Sequence, residues 1–242
     1  MKVEIWSDIM CPFCYIGKRK FELALAQFPQ SAEIQVVWRS FQLDPDIVNA
    51  PDKNVYQYLA ERKGQSVEWA KQVSAQVTQM AAAVGLDYQF EKSVVANSWD
   101  AHRLIQMAKA IGNNAQHANL GDAAEEALFK AYFTDGKNMA DAEVLAQLGA
   151  SIGLDPADIK EMLQKGQFDE AIEGDLALAQ QFGVRGVPFF VFDRKYAISG
   201  AQEPEAFLQV LEKSFSEWRV ANPAFAMSVL EGPSCTPDGE CN

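Results

Sequence analysis

The chain has 242 residues, 48% of them hydrophobic, with 21 Lys plus Arg against 33 Asp plus Glu and a formal net charge of −12. This is enough for one large domain or two modest ones with a sizeable core, and it excludes a disordered chain. The acidity argues against a nucleic-acid partner, which needs a basic face, and against docking on anionic lipid; it serves solubility.

Residues 2–7 read as a buried strand carrying Val3, Ile5 and Trp6. No apolar run of signal-peptide length precedes it, and none of membrane-spanning length follows. With Met1 as the start of the protein, the expected location is the cytoplasm. Thiols are mostly kept reduced there, so a cysteine pair is catalytic, sensing or metal-binding more often than a staple. A helix is predicted over 12–28, with Ile16, Phe21, Leu25 and Phe28 on one face and Pro29 ending it. A second strand spans 34–40, through Ile34, Val36, Val37 and Trp38. The three elements form one right-handed βαβ unit with parallel strands.

From about 52 to 183 the period and the punctuation turn helical. Ser66 can cap a helix whose stripe is Trp69, Val73, Val77, Met80 and Val84, closed by Gly85. Ser98 can cap the next, with Ala101, Leu104, Ile105 and Ala108 inward and Gly112 at its end. Asp122 with Glu125 resembles a capping box. Asp155-Pro156 opens another helix bearing Ile159, Met162 and Leu163, with Gly166 after it; a last one runs through Ala171, Ile172, Ala179 and Phe182 to Gly183. Strands then return. Pro188 to Asp193 is a near-continuous apolar run and reads as a central strand, whose Phe189, Phe190 and Phe192 are core. Tyr196 to Ser199 is a short partner, and Pro204 opens a final helix with Phe207, Leu208, Leu211 and Phe215 inward. The tail beyond Trp218, with Pro223, Gly232, Pro233, Pro237 and Gly239, is expected to be loosely ordered.

The predicted fold is α/β: a thioredoxin fold with an all-helical domain inserted between its βαβ and αββα halves. Residues 1–50 plus 184–218 form the thioredoxin-like domain, 51–183 the insert, and 219–242 a C-terminal tail carrying a second cysteine pair.

The chemistry-bearing motif is Cys11-Pro12-Phe13-Cys14, shortly after the first strand and at the start of the first helix. A Cys-x-x-Cys in that place is a redox signature. Pro12 suits the first helical position, since its missing N–H would have been unpaired there. Cys11 then sits at the helix N-terminus, where free N–H groups and the helix dipole favour a thiolate, the attacking species in disulfide exchange. Cys14 lies one turn on, on the same side. The expected roles are an exposed nucleophile at Cys11 and a shielded resolving thiol at Cys14. A structural pair or half a zinc site is the other reading, but a zinc ribbon wants a second close pair and the remaining cysteines lack that spacing.

Gly186-Val187-Pro188 supplies a tight turn before the central strand. We expect a cis Val187–Pro188 bond facing Cys11, which presents the Val187 backbone to an extended substrate strand; a trans proline at a strand start is the plainer alternative. Phe13 and Val187 are the candidate substrate contacts beside the cysteines. Asp8, three residues before Cys11, can relay the proton of Cys14 or can simply fix the turn. Cys235 and Cys241 flank a Pro- and Gly-containing turn, so they can form a second redox pair or an incidental tail disulfide. No metal site is expected. His117 has no context that singles it out.

Four segments together carry a resemblance: Ser7-Asp8-Ile9-Met10-Cys11-Pro12-Phe13-Cys14-Tyr15-Ile16-Gly17, Trp38-Arg39-Ser40-Phe41, Asn97-Ser98-Trp99-Asp100-Ala101-His102-Arg103 and Gly186-Val187-Pro188-Phe189-Phe190. Over roughly residues 1–218 the chain resembles the DsbA-like thioredoxin superfamily, and within it the FrnE-type cytoplasmic branch of thiol–disulfide oxidoreductases. The resemblance implies Cys11 as nucleophile, Cys14 as resolving partner and a cis Pro188. It also implies that the His102 segment lines the groove over Cys11, where His102 tunes thiolate charge or contacts substrate. The implied partners are protein or small-molecule thiols and disulfides, with glutathione as a fitting co-substrate and no bound cofactor required. A neighbouring branch of similar fold holds the kappa-class glutathione transferases and 2-hydroxychromene-2-carboxylate isomerases, which carry Ser where this chain has Cys11; the two thiols favour redox chemistry. A third reading is a peptide-binding chaperone that needs no cysteine.

Overall fold

The computed structural model describes residues 1–114 and 119–223, with Asn113 and Asn114 described by their backbone alone. His117, Cys235, Cys241 and almost all of the tail lie outside the described residues. In chain order, β1 (Lys2–Ser7) is followed by α1 (Pro12–Gln27) and β2 (Gln35–Ser40). The insert runs through β3 (Ala50–Asn54), α2 (Val55–Lys63), α3 (Val67–Ala82), β4 (Val94–Val95), α4 (Trp99–Asn114), α5 (Leu120–Phe133), α6 (Ala142–Ser151), α7 (Pro156–Gln164) and α8 (Asp169–Gln181). The chain then closes with β5 (Phe189–Phe192), β6 (Tyr196–Ser199) and α9 (Pro204–Ala221).

The main sheet has the order β2-β1-β5-β6, with β1 parallel to β2, antiparallel to β5, and β5 antiparallel to β6. This is the expected thioredoxin arrangement. Alternation along the strands decides what each face carries. Val3, Ile5, Phe190 and Phe192 point to the side of α1 and α9, where Phe21 packs against Phe190, Phe192 and Phe207. Trp6 and Val191 point to the other side, under Ala179 and Phe182 from α8 and its end. Glu4 shares that second face. It is buried but paired, accepting from Arg39 on β2 and from Arg194 in the β5–β6 turn (Nε–Oε2 2.8 Å), while Arg39 also reaches Asp175 of α8 at 2.8 Å. One carboxylate thereby ties β1 to its neighbours on both sides.

The insert departs from an all-helical unit. β3 and β4 pair as a short antiparallel ribbon. The local chemistry explains it: Ala50 precedes Pro51, which disfavours helical backbone there, and Val94 and Val95 are β-branched. Two predicted caps are in place, Ser66 on Trp69 N–H and Asp155 on Ala157 N–H ahead of Pro156. Two differ. The Ser98 hydroxyl accepts from Gln42 Nε2, and the Asn97 side chain meets Trp99 N–H instead. Helix α5 begins earlier than Asp122, capped by Asn119, which frees Asp122 to accept from Trp38 Nε1 at 2.9 Å. The buried line of α3 is Ala70, Ser74 and Ala81, and Met80 is exposed, because small residues let this helix lie close to its neighbours.

Helix α1 approaches the turn before β5 so closely that Gly17 has no room for a side chain: a Cβ there would lie 2.9 Å from Cγ of Pro188. Replacing Gly17 by Ala gains about 0.5–1 kcal/mol of helix propensity but overpacks a buried contact, at about 1–3 kcal/mol. Gly17→Ala is therefore expected to lower the urea midpoint. A midpoint equal to or above that of the parent protein would mean that α1 and Pro188 are not in contact.

Candidate active site

Cys11 precedes the first turn of α1 in extended conformation (φ −90°, ψ 111°), and Pro12 occupies the first turn. The Cys11 N–H donates to Asp8 O at 2.9 Å, and Cys14 N–H donates to Cys11 O at 3.0 Å, so the loop is fixed from both sides. No acidic side chain stands in the first turn of the helix. The partial positive charge of its N-terminal amides is therefore left to the Cys11 sulfur. Both thiols are free, and the Cys11 thiol donates to the carbonyl of Val187 at 3.5 Å. The Val187–Pro188 peptide bond is cis. The structure thus brings Cys11, Cys14, Val187 and Pro188 together.

Cys11 is not the exposed residue expected of it: it is 3% exposed and Cys14 1%. The cause is the packing at the start of α1. Tyr88, from the segment between α3 and β4, donates its hydroxyl to Pro12 O at 2.7 Å and stacks on Phe133 and Tyr15. Burial, and then the two nearby cysteines, push the Tyr88 hydroxyl well above the ordinary phenol range, so it remains a donor at neutral pH. Phe13, at 38% exposed, is the part of the motif that faces solvent.

Burial, then the neighbouring Cys11, push the Cys14 thiol well above its ordinary range; the Asp8 amide and the Ser7 hydroxyl pull the other way. Asp8 is buried as well. Burial works to raise its carboxyl, but His102 and the amides of Leu43 (2.8 Å) and Met10 (3.2 Å) outweigh that, and the group is held below the usual carboxylate range. His102 Nε2 lies 3.7 Å from Asp8 Oδ1, and neither ring nitrogen has a hydrogen-bond partner. His102 is completely buried. The implied contact between His102 and substrate is thus corrected: α4 delivers the imidazole beneath the redox loop, on the Asp8 side, and not into a groove.

Sequence reasoning missed Ser7, Tyr88 and Glu125. Ser7 carried a usable signal, since alternation along β1 puts it on the same face as Val3 and Ile5, the face that α1 covers. Glu125 shares a helix face with Leu128 and Phe129, which marks it for burial. Its carboxyl is pushed up to about 8, first by burial and then by Asp122, against Lys18 and Lys109. Among the described residues no group of three or more His, Cys, Asp or Glu converges as a metal site, and no helix is long and apolar enough to cross a membrane.

A thioredoxin-type sheet, a helix-capping cysteine pair and a cis-proline turn beside the first sulfur define a thioredoxin-fold protein with a dithiol centre. The chain belongs to the DSBA-like thioredoxin domain family, which matches residues 2–212, and this is a family of DsbA-like thiol–disulfide oxidoreductases. A probable DsbA oxidoreductase from Streptomyces coelicolor is 36% identical, with a TM-score of 0.80 over 100% of this chain and 98% of that one. The Bacillus subtilis protein YwbO is 28% identical over 222 residues, 89% of this chain and 96% of its own length. The cytosolic disulfide reductase DsbM from Pseudomonas aeruginosa, solved with glutathione, shares the fold at 16% identity and a TM-score of 0.62, over 89% of this chain and 100% of that one.

Glu125 makes a pH prediction. With a folded-state value of about 8 against an ordinary glutamate near 4.3, the folded protein holds a proton that the unfolded chain has lost between those values. Stability must fall as pH rises through that window, by at most about 1.4 kcal/mol per pH unit from this group. Glu125→Gln is expected to flatten the decline, and to be more stable relative to the parent at pH 8 than at pH 5 in urea unfolding. Parallel pH profiles for the two proteins would refute the buried, protonated state.

Proposed function

We propose that the protein is a dithiol–disulfide oxidoreductase of the FrnE type, acting on protein or small-molecule thiols and disulfides in the cytoplasm. The observation that carries this reading is the position of the Cys11 sulfur, held between the N-terminus of α1 and the Val187 carbonyl with Cys14 one turn behind. In the reducing direction the Cys11 thiolate attacks a substrate disulfide, one substrate sulfur leaves as a thiolate, and a mixed disulfide forms at Cys11. Cys14 then attacks Cys11 and releases the second substrate thiol, leaving the Cys11–Cys14 disulfide. In the oxidising direction the same steps run backwards from that disulfide. The Val187 backbone before the cis proline offers a hydrogen-bonding edge to a substrate strand, and Phe13 an apolar contact at the rim.

Glutathione is the proposed small-thiol partner. The glutathione bound to DsbM, a protein of the same fold, supports this choice. The paired sulfurs favour exchange over a glutathione-dependent isomerase of the kind that carries Ser at the Cys11 position.

The test is capture. Cys14→Ala, reduced and then exposed to glutathione disulfide, is expected to retain a reductant-sensitive glutathione adduct on Cys11, seen by intact mass. The parent protein should discharge the same adduct. Cys11→Ser is expected to abolish both capture and turnover. No adduct on Cys14→Ala, or turnover that survives Cys11→Ser, would defeat the exchange mechanism.

A further inference from the structure

The Val187 carbonyl has two claimants. In the dithiol the Cys11 thiol donates to it across 3.5 Å. The sulfur caps no amide of α1 in this state, and its hydrogen goes to Val187. The same carbonyl belongs to the edge offered to a substrate strand. Pro188 O already accepts from Gly200 N–H at 2.8 Å, so the Val187 carbonyl is the acceptor that this turn presents to the sulfur. A carbonyl has a second lone pair. Val187 is half-buried, however, and a strand that brings its own sulfur to Cys11 enters on the side where the thiol hydrogen stands. That hydrogen exists in one state of Cys11 alone: the thiolate has lost it, and the Cys11–Cys14 disulfide has none. On ionisation the sulfur turns from donor to acceptor. Pro12 has no N–H and the Cys14 N–H is used by Cys11 O at 3.0 Å, which leaves the Phe13 N–H of the first turn to meet the thiolate.

We propose that the Cys11 thiol is an internal competitor for the Val187 carbonyl: it closes the substrate edge in the dithiol and leaves that edge open in the disulfide and in the thiolate. The ligand class is an extended peptide that donates a backbone N–H beside its own sulfur, glutathione included. The proposal rests on the exchange chemistry above and adds to it a rule for when substrate binds and when product leaves. In the oxidising direction the disulfide form, with its edge open, binds a peptide dithiol. Two electrons and two protons pass from the peptide's thiols to the Cys11 and Cys14 sulfurs, and the peptide's sulfurs become joined. The new Cys11 thiol then takes the carbonyl from the peptide N–H, so release is tied to completion. In the reducing direction, loss of the thiol proton both makes the nucleophile and opens the edge. Binding and redox state are linked reciprocally: the factor that separates the two forms in affinity for a peptide is the factor by which that peptide moves the dithiol–disulfide balance.

The probe is S-methylglutathione, which carries the amide N–H and cannot exchange, with its analogue N-methylated at that amide as the control. Both are titrated by NMR into the full chain bearing Cys235→Ser and Cys241→Ser, so that redox changes are confined to Cys11 and Cys14. The pH is set low enough to remove the ultraviolet absorbance of the thiolate. The titratable groups around the redox loop, Cys14 on α1, Asp8 before it, His102 on α4 and Tyr88 from the insert, are the same residues in the three reduced forms compared. A hydrogen bond is worth roughly a 2- to 10-fold change in affinity, and a thiol is a weak donor, so the lower part of that range applies. The oxidised protein and reduced Cys11→Ala are each expected to bind S-methylglutathione about two- to fivefold more tightly than the reduced protein. Reduced Cys11→Ser, whose hydroxyl is the stronger donor, should bind it no more tightly than the reduced protein. The N-methylated analogue should bind all four forms alike, within about twofold. Equal affinity of the reduced protein and reduced Cys11→Ala for S-methylglutathione overturns the proposal. So does a gap of the same size with the N-methylated analogue, or no binding of S-methylglutathione by the oxidised protein. Covalent capture of glutathione by Cys14→Ala is a separate readout: loss of the affinity order leaves the exchange reading standing, and loss of capture strikes that reading itself.

Discussion

Everything at the dithiol depends on one close approach, the packing of the first turns of α1 against the turn that enters β5. The contact needs a residue without a side chain at Gly17 and the ring of Pro188 opposite it. It sets the Cys11 sulfur against the Val187 carbonyl. The sheet makes the approach possible, because β1 lies beside β5 and delivers both the redox loop and, through antiparallel pairing, the strand that follows the proline. Residues 11 and 187 are far apart in the chain and meet only through that pairing. The insert between them is free to be large, since it leaves β2 and rejoins β5 at the same end of the sheet, with only β1 between them.

Buried charge is the second constraint, and the protein handles it in two ways. Glu4 is surrounded by guanidinium groups from both sides, Arg39 and Arg194, and Asp8 by amides and an imidazole. Both carboxyls sit below their usual range, although burial alone would raise them. Glu125 shows what happens when such partners fall short: one of its oxygens is buried without a hydrogen bond, and the carboxyl is driven towards the neutral form. A buried ion pair is weak evidence of stability. The Glu4 group makes better sense as a register device, because it ties β1, β2 and the β5–β6 turn to one point.

Much of the architecture was legible from periodicity and punctuation. The buried strand at residues 2–7, the apolar run from Phe189 to Phe192 and the caps at Ser66 and Asp155 all stand where local chemistry puts them. The misses have physical causes. Ser98 was drawn away from its cap by Gln42, 56 residues distant, and Asp122 by Trp38. No local pattern encodes a partner that far off. The short β3–β4 ribbon has too few residues to show a period. At the site, the cysteine spacing was plain and the depth of Cys11 was not, because Cys11 joins a core shared with residues of the insert, among them Tyr88, which reaches back to a carbonyl in the motif. His102 is legible through its neighbours in sequence, but only the tertiary packing shows that it lies fully buried beside Asp8 and not at the surface.

The depth of Cys11 has a consequence for what the centre can accept. A sulfur covered to this degree cannot be met by a cystine locked flush in the surface of a rigid, folded protein, since in-line attack needs the incoming S–S bond to point along the line of approach. A small disulfide, or one carried on a chain slack enough to extend beside Val187, meets that demand. Under the exchange chemistry proposed above, cover of this depth would select by shape and slack more than by side-chain identity, favouring linkages in unravelled polypeptides and in peptides of a few residues over those sealed into a native structure.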